Sequence, residues 1–294
     1  MKVSFKSTTR IQEGIMGRFR EKMDRDMQIR GYSTSTRDIY LRCVRDFVKY
    51  FMVRPDRLNQ EDINRYQQYL IEEKKVSVPY FNQAVSAIRF FYITSLGRKW
   101  EIRMLPYHRT ARSLPEILSR QEVSAIFDAT TNIKHRVILM TVYSGGLRVS
   151  EVVGLRVSDI DNDRSVIRIN KGKGRKDRYV MLSLKLASVL QEYMHRHKPG
   201  YWLFPGQKPG THMVSRSAQK IFRKARTDAG ITKNVTIHSL RHSFATHLME
   251  DGANIRVIQS LLGHMSLRST SVYTHVAGNY LSETQSPMDR TDRP

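Results

Sequence analysis

Apolar residues in the first third of the chain recur at four-residue steps. Ile11, Ile15, Phe19, Met23 and Met27 form one such stripe and Gly31 follows as a stop, which predicts an amphipathic helix. A second helix is predicted from a Ser-x-x-Asp cap at Ser35 and Asp38, with Ile39, Phe47 and Phe51 on one face. A third begins at Asn59, with Glu61 and Asp62 in its first turn, where the helix dipole favours negative charge. A fourth runs through "YFNQAVSAIRFFYITSLG" to Gly97. Four short amphipathic helices predict a small bundle over residues 1–100.

The pattern then breaks. "RKWEIRMLPYHRTARSLP" holds two prolines and the cations Arg98, Lys99, Arg103, Arg109 and Arg112. We read residues 101–114 as a basic linker, either a solvated connector or a strap along a phosphate backbone. A second domain, residues 115–275, opens with a capping box at Ser119 and Glu122 and a helix to about Ala129. Helices are predicted around Val137–Tyr143 and Arg148–Leu155. "SVIRINKGKGRKDRYVML" reads as two strands around a turn loaded with glycine and lysine. Four more helical patterns follow, ending with "NIRVIQSLLG", and residues 276–294 form a tail. The predicted class is mainly α with one small antiparallel β-hairpin.

Charge changes the picture from architecture to partner. The formal net charge is +23, from 50 Lys and Arg against 27 Asp and Glu. Residues 1–110 carry 22 and 12 of these, or +10, and the remainder carries 28 and 15, or +13. An excess in both parts points to a polyanion that both touch, with nucleic acid ahead of an anionic membrane surface. Cys43 is the only cysteine, so internal disulfides and thiolate zinc clusters are excluded. "MKVSFKSTTR" has no signal-peptide core, and the longest apolar run, Val137 to Tyr143, is too short to span a bilayer. A soluble cytoplasmic protein is expected, associated with the nucleoid when on DNA.

Chemistry-bearing residues are weak singly and strong as a set. Arg148 follows two glycines at a helix start. Lys171, Lys173, Arg175 and Lys176 sit on the hairpin turn. His238, Arg241 and His242 share a helix face at i, i+3 and i+4. Two arginines grip phosphate oxygens bidentately, a lysine can protonate a leaving oxygen, and a histidine can take the proton of a tyrosine, whose pKa near 10 makes it a poor unaided nucleophile. These parts suffice for attack on a phosphodiester without a metal.

"GLRVSEVVGL", "KGKGRKDR", "HSLRHSFATHL" and "LLGHMSLRSTSVYTH", in that order, resemble the tyrosine recombinases, the phage-integrase-like family, and its short Xer-like members most. The resemblance spans about residues 110–280. It implies that Arg148 and Arg241 bind the scissile phosphate and that Lys173 protonates the departing 5′-oxygen. It makes His238 the acid/base partner, has His264 donate a hydrogen bond to the phosphate, and has Tyr273 attack to give a 3′-phosphotyrosyl intermediate. Glu151 matches a supporting acidic position. The implied partners are double-stranded DNA with inverted-repeat core sites and three further recombinase protomers, as a homotetramer or a heterotetramer with a second recombinase. The tail would dock on a neighbouring protomer. No cofactor is expected, neither metal nor nucleotide. About ten residues precede the first helix, so an arm-binding domain is not expected.

Three rivals stand beside this reading. A type IB topoisomerase shares the chemistry, and a non-catalytic DNA-binding regulator shares the charge. A metal-dependent nuclease would use His238, His242 and His247, the first two having ligand spacing on a helix.

Overall fold

The computed structural model describes residues 5–98, 106–108, 115–170 and 177–263, with side chains from residue 17 onward. Contacts divide the chain into two compact units, Met1–Arg112 and Ser113–Pro294.

The first unit is built from α1 (Phe5–Ile29), α2 (Thr34–Phe51), α3 (Gln60–Glu72) and α4 (Val78–Arg89). Met23, Met27, Phe47, Ile63, Tyr66, Leu70, Ile88 and Tyr92 close its core. Burying side chains of this size stabilises by about 1.5–3 kcal/mol each. The third helix starts as the sequence predicts: Asn59 accepts the amide of Asp62 at 3.0 Å, and the Asp62 carboxylate returns the bond to the Asn59 amide at 2.9 Å.

Three details depart from expectation. Helix α1 begins at Phe5, well before the apolar stripe suggests, and runs for 25 residues, so it is not short. Its Ile11 and Ile15 side chains lie outside the described residues. Helix α2 is capped by Ser33 rather than Ser35, because the Ser33 hydroxyl is the one that reaches the amide of Thr36, at 3.3 Å. Helix α4 does not continue regularly to Gly97; it widens into a π-helical turn over Phe90–Ser95, which buries Phe90, Phe91 and Tyr92 in succession.

The second unit contains α5 (Arg120–Asp128), α6 (Ile133–Ser144), α7 (Val149–Val153), β1 (Ile160–Asp161), β2 (Val166–Ile169), β3 (Arg178–Met181), α8 (Leu184–His197), α9 (Ser215–Asp228), α10 (Ile237–Glu250) and α11 (Ile255–Leu262). Helix α5 carries the predicted capping box, with Ser119 and Glu122 satisfying each other's amides. The sheet is antiparallel in the order β1-β2-β3, and Val166 pairs with Met181 while Ile169 pairs with Arg178. Strand β1 is an addition to the predicted hairpin; two residues are too few to show a period of two. Helices α6 and α10 lie at the centre, and Val137, Ile138, Leu139, Val142, Leu240 and Ala245 are fully or almost fully buried. No helix among the described residues is long and apolar enough to cross a membrane.

Candidate active site

Helix α6 ends at Ser144 and the chain reverses through Gly145 and Gly146. Gly146 has φ +59°, and a Cβ there would lie 2.4 Å from the Phe244 ring. Only glycine meets both demands. This tight reversal puts Arg148 at the N-cap of α7 and Glu151 in its first turn, where the Glu151 carboxylate accepts the Arg148 amide at 2.8 Å.

Glu151 is the centre of the site. Its Oε1 accepts from Arg148 Nη1 at 2.8 Å and from Arg178 Nη1 at 2.9 Å, and its Oε2 accepts from Arg178 Nη2 at 2.8 Å. Arg241 Nη1 lies 3.8 Å from Oε2. The carboxylate is only 7% exposed. Burial alone would raise its pKa, but the Arg178 hydrogen bonds, the Arg148 amide and the surrounding positive charge outweigh it and bring the pKa down to about 2. Three guanidiniums around one carboxylate leave a net charge of +2.

Arg241 comes from α10, one turn after His238. Its guanidinium is 5% exposed and donates to the carbonyls of Gly146 at 2.6 Å and Leu262 at 2.7 Å. It therefore ties α10 to the glycine reversal and to the end of α11. Arg148 keeps 23% of its side chain exposed. His238 is exposed, yet partial loss of solvent, with the charges of Arg241 and Arg148, pushes its pKa below the usual histidine value. A neutral imidazole at physiological pH can accept a proton.

The other histidines do not join this cluster as ligands. His247 is buried, and its Nδ1 lies 2.9 Å from the Tyr143 hydroxyl. Burial, then the charges of His238 and Arg241, lowers the pKa of His242. Among the described residues no group of three His, Cys, Asp or Glu side chains is placed to hold a metal ion.

Of the residues singled out in the sequence, Arg148, Glu151 and Arg241 are in one cluster, and the charges of Arg148 and Arg241 act on His238. Lys173, His264 and Tyr273 lie outside the described residues, as do Lys99, Arg103, Arg109, Arg112, Lys171, Arg175, Lys176 and the tail. Arg98 is placed in the first unit, where it donates to the carbonyls of Leu58 and Asp56 and lies 5.5 Å from the Tyr92 ring.

Arg178 was not singled out in the sequence. Strand alternation carried a signal: Arg178 has the same parity as Val180, which is buried, while Tyr179 and Met181 between and beyond them are exposed. An arginine at an inward position requires an internal acid.

The ionisation of Glu151 makes a prediction. A depressed carboxylate contributes stability that is present above its unfolded pKa and lost as pH falls through the folded one. With an ordinary value of 4.5 and a folded value of about 2, this amounts to about 3 kcal/mol lost between pH 5 and pH 2. In Glu151→Gln that increment is absent, so urea unfolding should show a shallower acid limb. An equal acid loss in both proteins would show that Glu151 is not held as described.

Residues 116–279 match the phage integrase family, and residues 19–102 match the phage integrase N-terminal SAM-like domain. A Sinorhizobium fredii protein named as an integrase/recombinase, y4qK, is 44% identical, covering 96% of this chain and 92% of its own. The tyrosine recombinase XerC of Halalkalibacterium halodurans is 32% identical over 84% of this chain and 87% of its own. The crystal structure of the XerH site-specific recombinase in a pre-cleavage complex with its difH substrate matches with a TM-score of 0.68 at 22% identity, covering 88% of this chain and 81% of that one.

Proposed function

The chain belongs to the phage integrase family, and from that membership we propose how its own residues cut and rejoin DNA. It is a tyrosine-type site-specific recombinase. Residues 1–100 would grip one side of the duplex, residues 101–114 cross its backbone, and residues 115–275 carry the chemistry. The Tyr273 hydroxyl attacks the scissile phosphorus as its proton passes to His238. The bond to the 5′-oxygen breaks, and that oxygen takes a proton from the Lys173 ammonium. The product is a 3′-phosphotyrosyl ester and a free 5′-hydroxyl. Attack by a 5′-hydroxyl from the partner strand reverses each transfer and rejoins the DNA. Because the ester conserves the phosphodiester bond energy, no nucleotide cofactor is consumed.

One observation carries this reading. The Glu151 carboxylate holds Arg148 and lies beside Arg241, leaving net positive charge at the mouth of a helix reversal. Fixed guanidiniums of this kind stabilise the extra charge on the non-bridging oxygens in the transition state without reorganising. His264 would add a hydrogen bond to the same phosphate. The lowered pKa of His238 suits an acceptor for the phenolic proton.

The partner is double-stranded DNA with inverted-repeat core sites. Four protomers, either alike or shared with a second recombinase, assemble on two sites, with residues 276–294 docking on a neighbour. The working compartment is the cytoplasm, at the nucleoid. The test is a plasmid bearing two such sites, incubated with the protein in EDTA without nucleotide. Recombinant circles are expected; relaxed circles alone would favour the topoisomerase reading.

A further inference from the structure

Arg178 occupies a junction between three parts of the second unit. It is the first residue of β3, with Asp177 between it and residues 171–176, which hold the lysines. Both terminal nitrogens donate to Glu151, one to each oxygen, in a parallel fork. Its Nε donates to the carbonyl of Leu261 at 2.9 Å, in the last turn of α11. The side chain is 11% exposed. Gly263, which ends α11 with φ +62°, lies so close that a Cβ there would be 3.1 Å from Arg178 Cδ and 3.2 Å from its Nε and Nη1.

The other foot of the hairpin is tied as well. Asn170, the residue after β2, donates to the buried carboxylate of Asp159, which also accepts the Arg156 amide at 2.9 Å. The two feet are not equivalent. The Asp159 foot is anchored within the sheet region, whereas the Arg178 foot is anchored on the carboxylate that holds Arg148 and on the helix that leads to His264 and Tyr273.

We propose that Arg178 is a positioning residue, which sets the base of the hairpin and the end of α11 in register with the paired arginines through Glu151. The proposal rests on the reading of Lys173 and Tyr273 given above. Arg178 acts from behind: its Nε, Nη1 and Nη2 all donate to protein oxygens. Its work is to fix where neighbouring parts of the chain begin. Lys173 lies five residues before it, and Tyr273 ten residues after Gly263. Lysine cannot replace it, because one ammonium cannot span both oxygens of Glu151 and the Leu261 carbonyl in a fixed plane.

The test uses the full chain and a nicked substrate carrying either oxygen or sulfur at the bridging 5′ position. Sulfur departs as a thiolate without a proton, so it bypasses a misplaced acid. Arg178→Met should bind DNA within about threefold of wild type and cleave the oxygen substrate about 10²-fold more slowly, the cost of a misplacement near 1 Å. It should recover about tenfold or more on sulfur. Arg178→Lys keeps the charge and the fold and should fall between wild type and Arg178→Met on oxygen. Where sulfur rescues Lys173→Ala, equal losses of Arg178→Met on both substrates overturn the proposal; no loss on oxygen overturns it in either case.

Lys173→Ala serves beside it as the control for the underlying reading. If sulfur fails to rescue Lys173→Ala, the assignment of the acid is wrong, and amide hydrogen exchange then decides the role of Arg178. Faster exchange in Arg178→Lys at residues 178–181 and 260–263, with α6 unchanged, supports the register; unchanged exchange there overturns it.

Discussion

Lys173→Ala should lose about 10²- to 10⁴-fold in cleavage of ordinary DNA, the usual contribution of a general acid, and recover most of it when the bridging 5′-oxygen is replaced by sulfur. The alkoxide that leaves from the 5′ carbon is a strong base, so expelling it without a proton is costly, whereas a thiolate leaves readily. Arg148→Ala and Arg241→Ala should show little rescue, because their charge acts on the non-bridging oxygens. Arg241→Ala also strips a donor from the carbonyls of Gly146 and Leu262, so its effect includes a loss of stability that Lys173→Ala should not share. Lys171→Ala and Lys176→Ala are the controls on the same turn. Rescue of either by sulfur, with Lys173→Ala left inactive, would move the acid two residues back, to Lys171, or three residues on, to Lys176.

The geometry around Glu151 fixes the arginines in advance. Arg148, at the start of α7, meets one oxygen of the buried Glu151 carboxylate, and Arg241, from α10, lies 3.8 Å from the other. Removing one partner from such a buried group typically costs about 3–5 kcal/mol. The positive charge offered to a phosphate is thus fixed before DNA arrives. On either side of residues 171–176, the chain is tied at Asn170 to Asp159 and at Arg178 to Glu151.

Much of the fold was legible because its signals are local. The apolar stripe of α1, the Asn59 and Ser119 caps with their returning carboxylates, and the strand pair around the lysine turn all act within a few residues. The mainly helical class with a small antiparallel sheet followed from these. The misses were local competitions or long-range contacts. Ser33 and Ser35 are both suitable caps, and only the path of the chain selects between them. Strand β1 is two residues long and pairs with β2 rather than announcing itself.

Within the site, Glu151 came into view through the family resemblance, and its place three residues after Arg148 agrees with one helical turn. Arg178 is 27 residues from Glu151 and 83 from Leu261, and no periodicity links such positions. Its one sequence-level mark is strand parity: a charged residue on the inward face of an otherwise apolar alternation. A buried arginine of that kind implies a buried acid, and Glu151 is the acid that the fold delivers.

The central claim is that Tyr273 is the nucleophile. Tyr273→Phe keeps the ring and its packing and removes only the attacking oxygen. It should bind the nicked suicide substrate as tightly as wild type. Wild-type protein incubated with that substrate, on which the cut strand diffuses away, should accumulate a covalent protein–DNA adduct, and digestion should place the nucleotide on the peptide containing Tyr273. Tyr273→Phe should give no adduct. An adduct that persists undiminished in Tyr273→Phe would contradict the account, and Tyr280, seven residues further on, would then be the next tyrosine to replace.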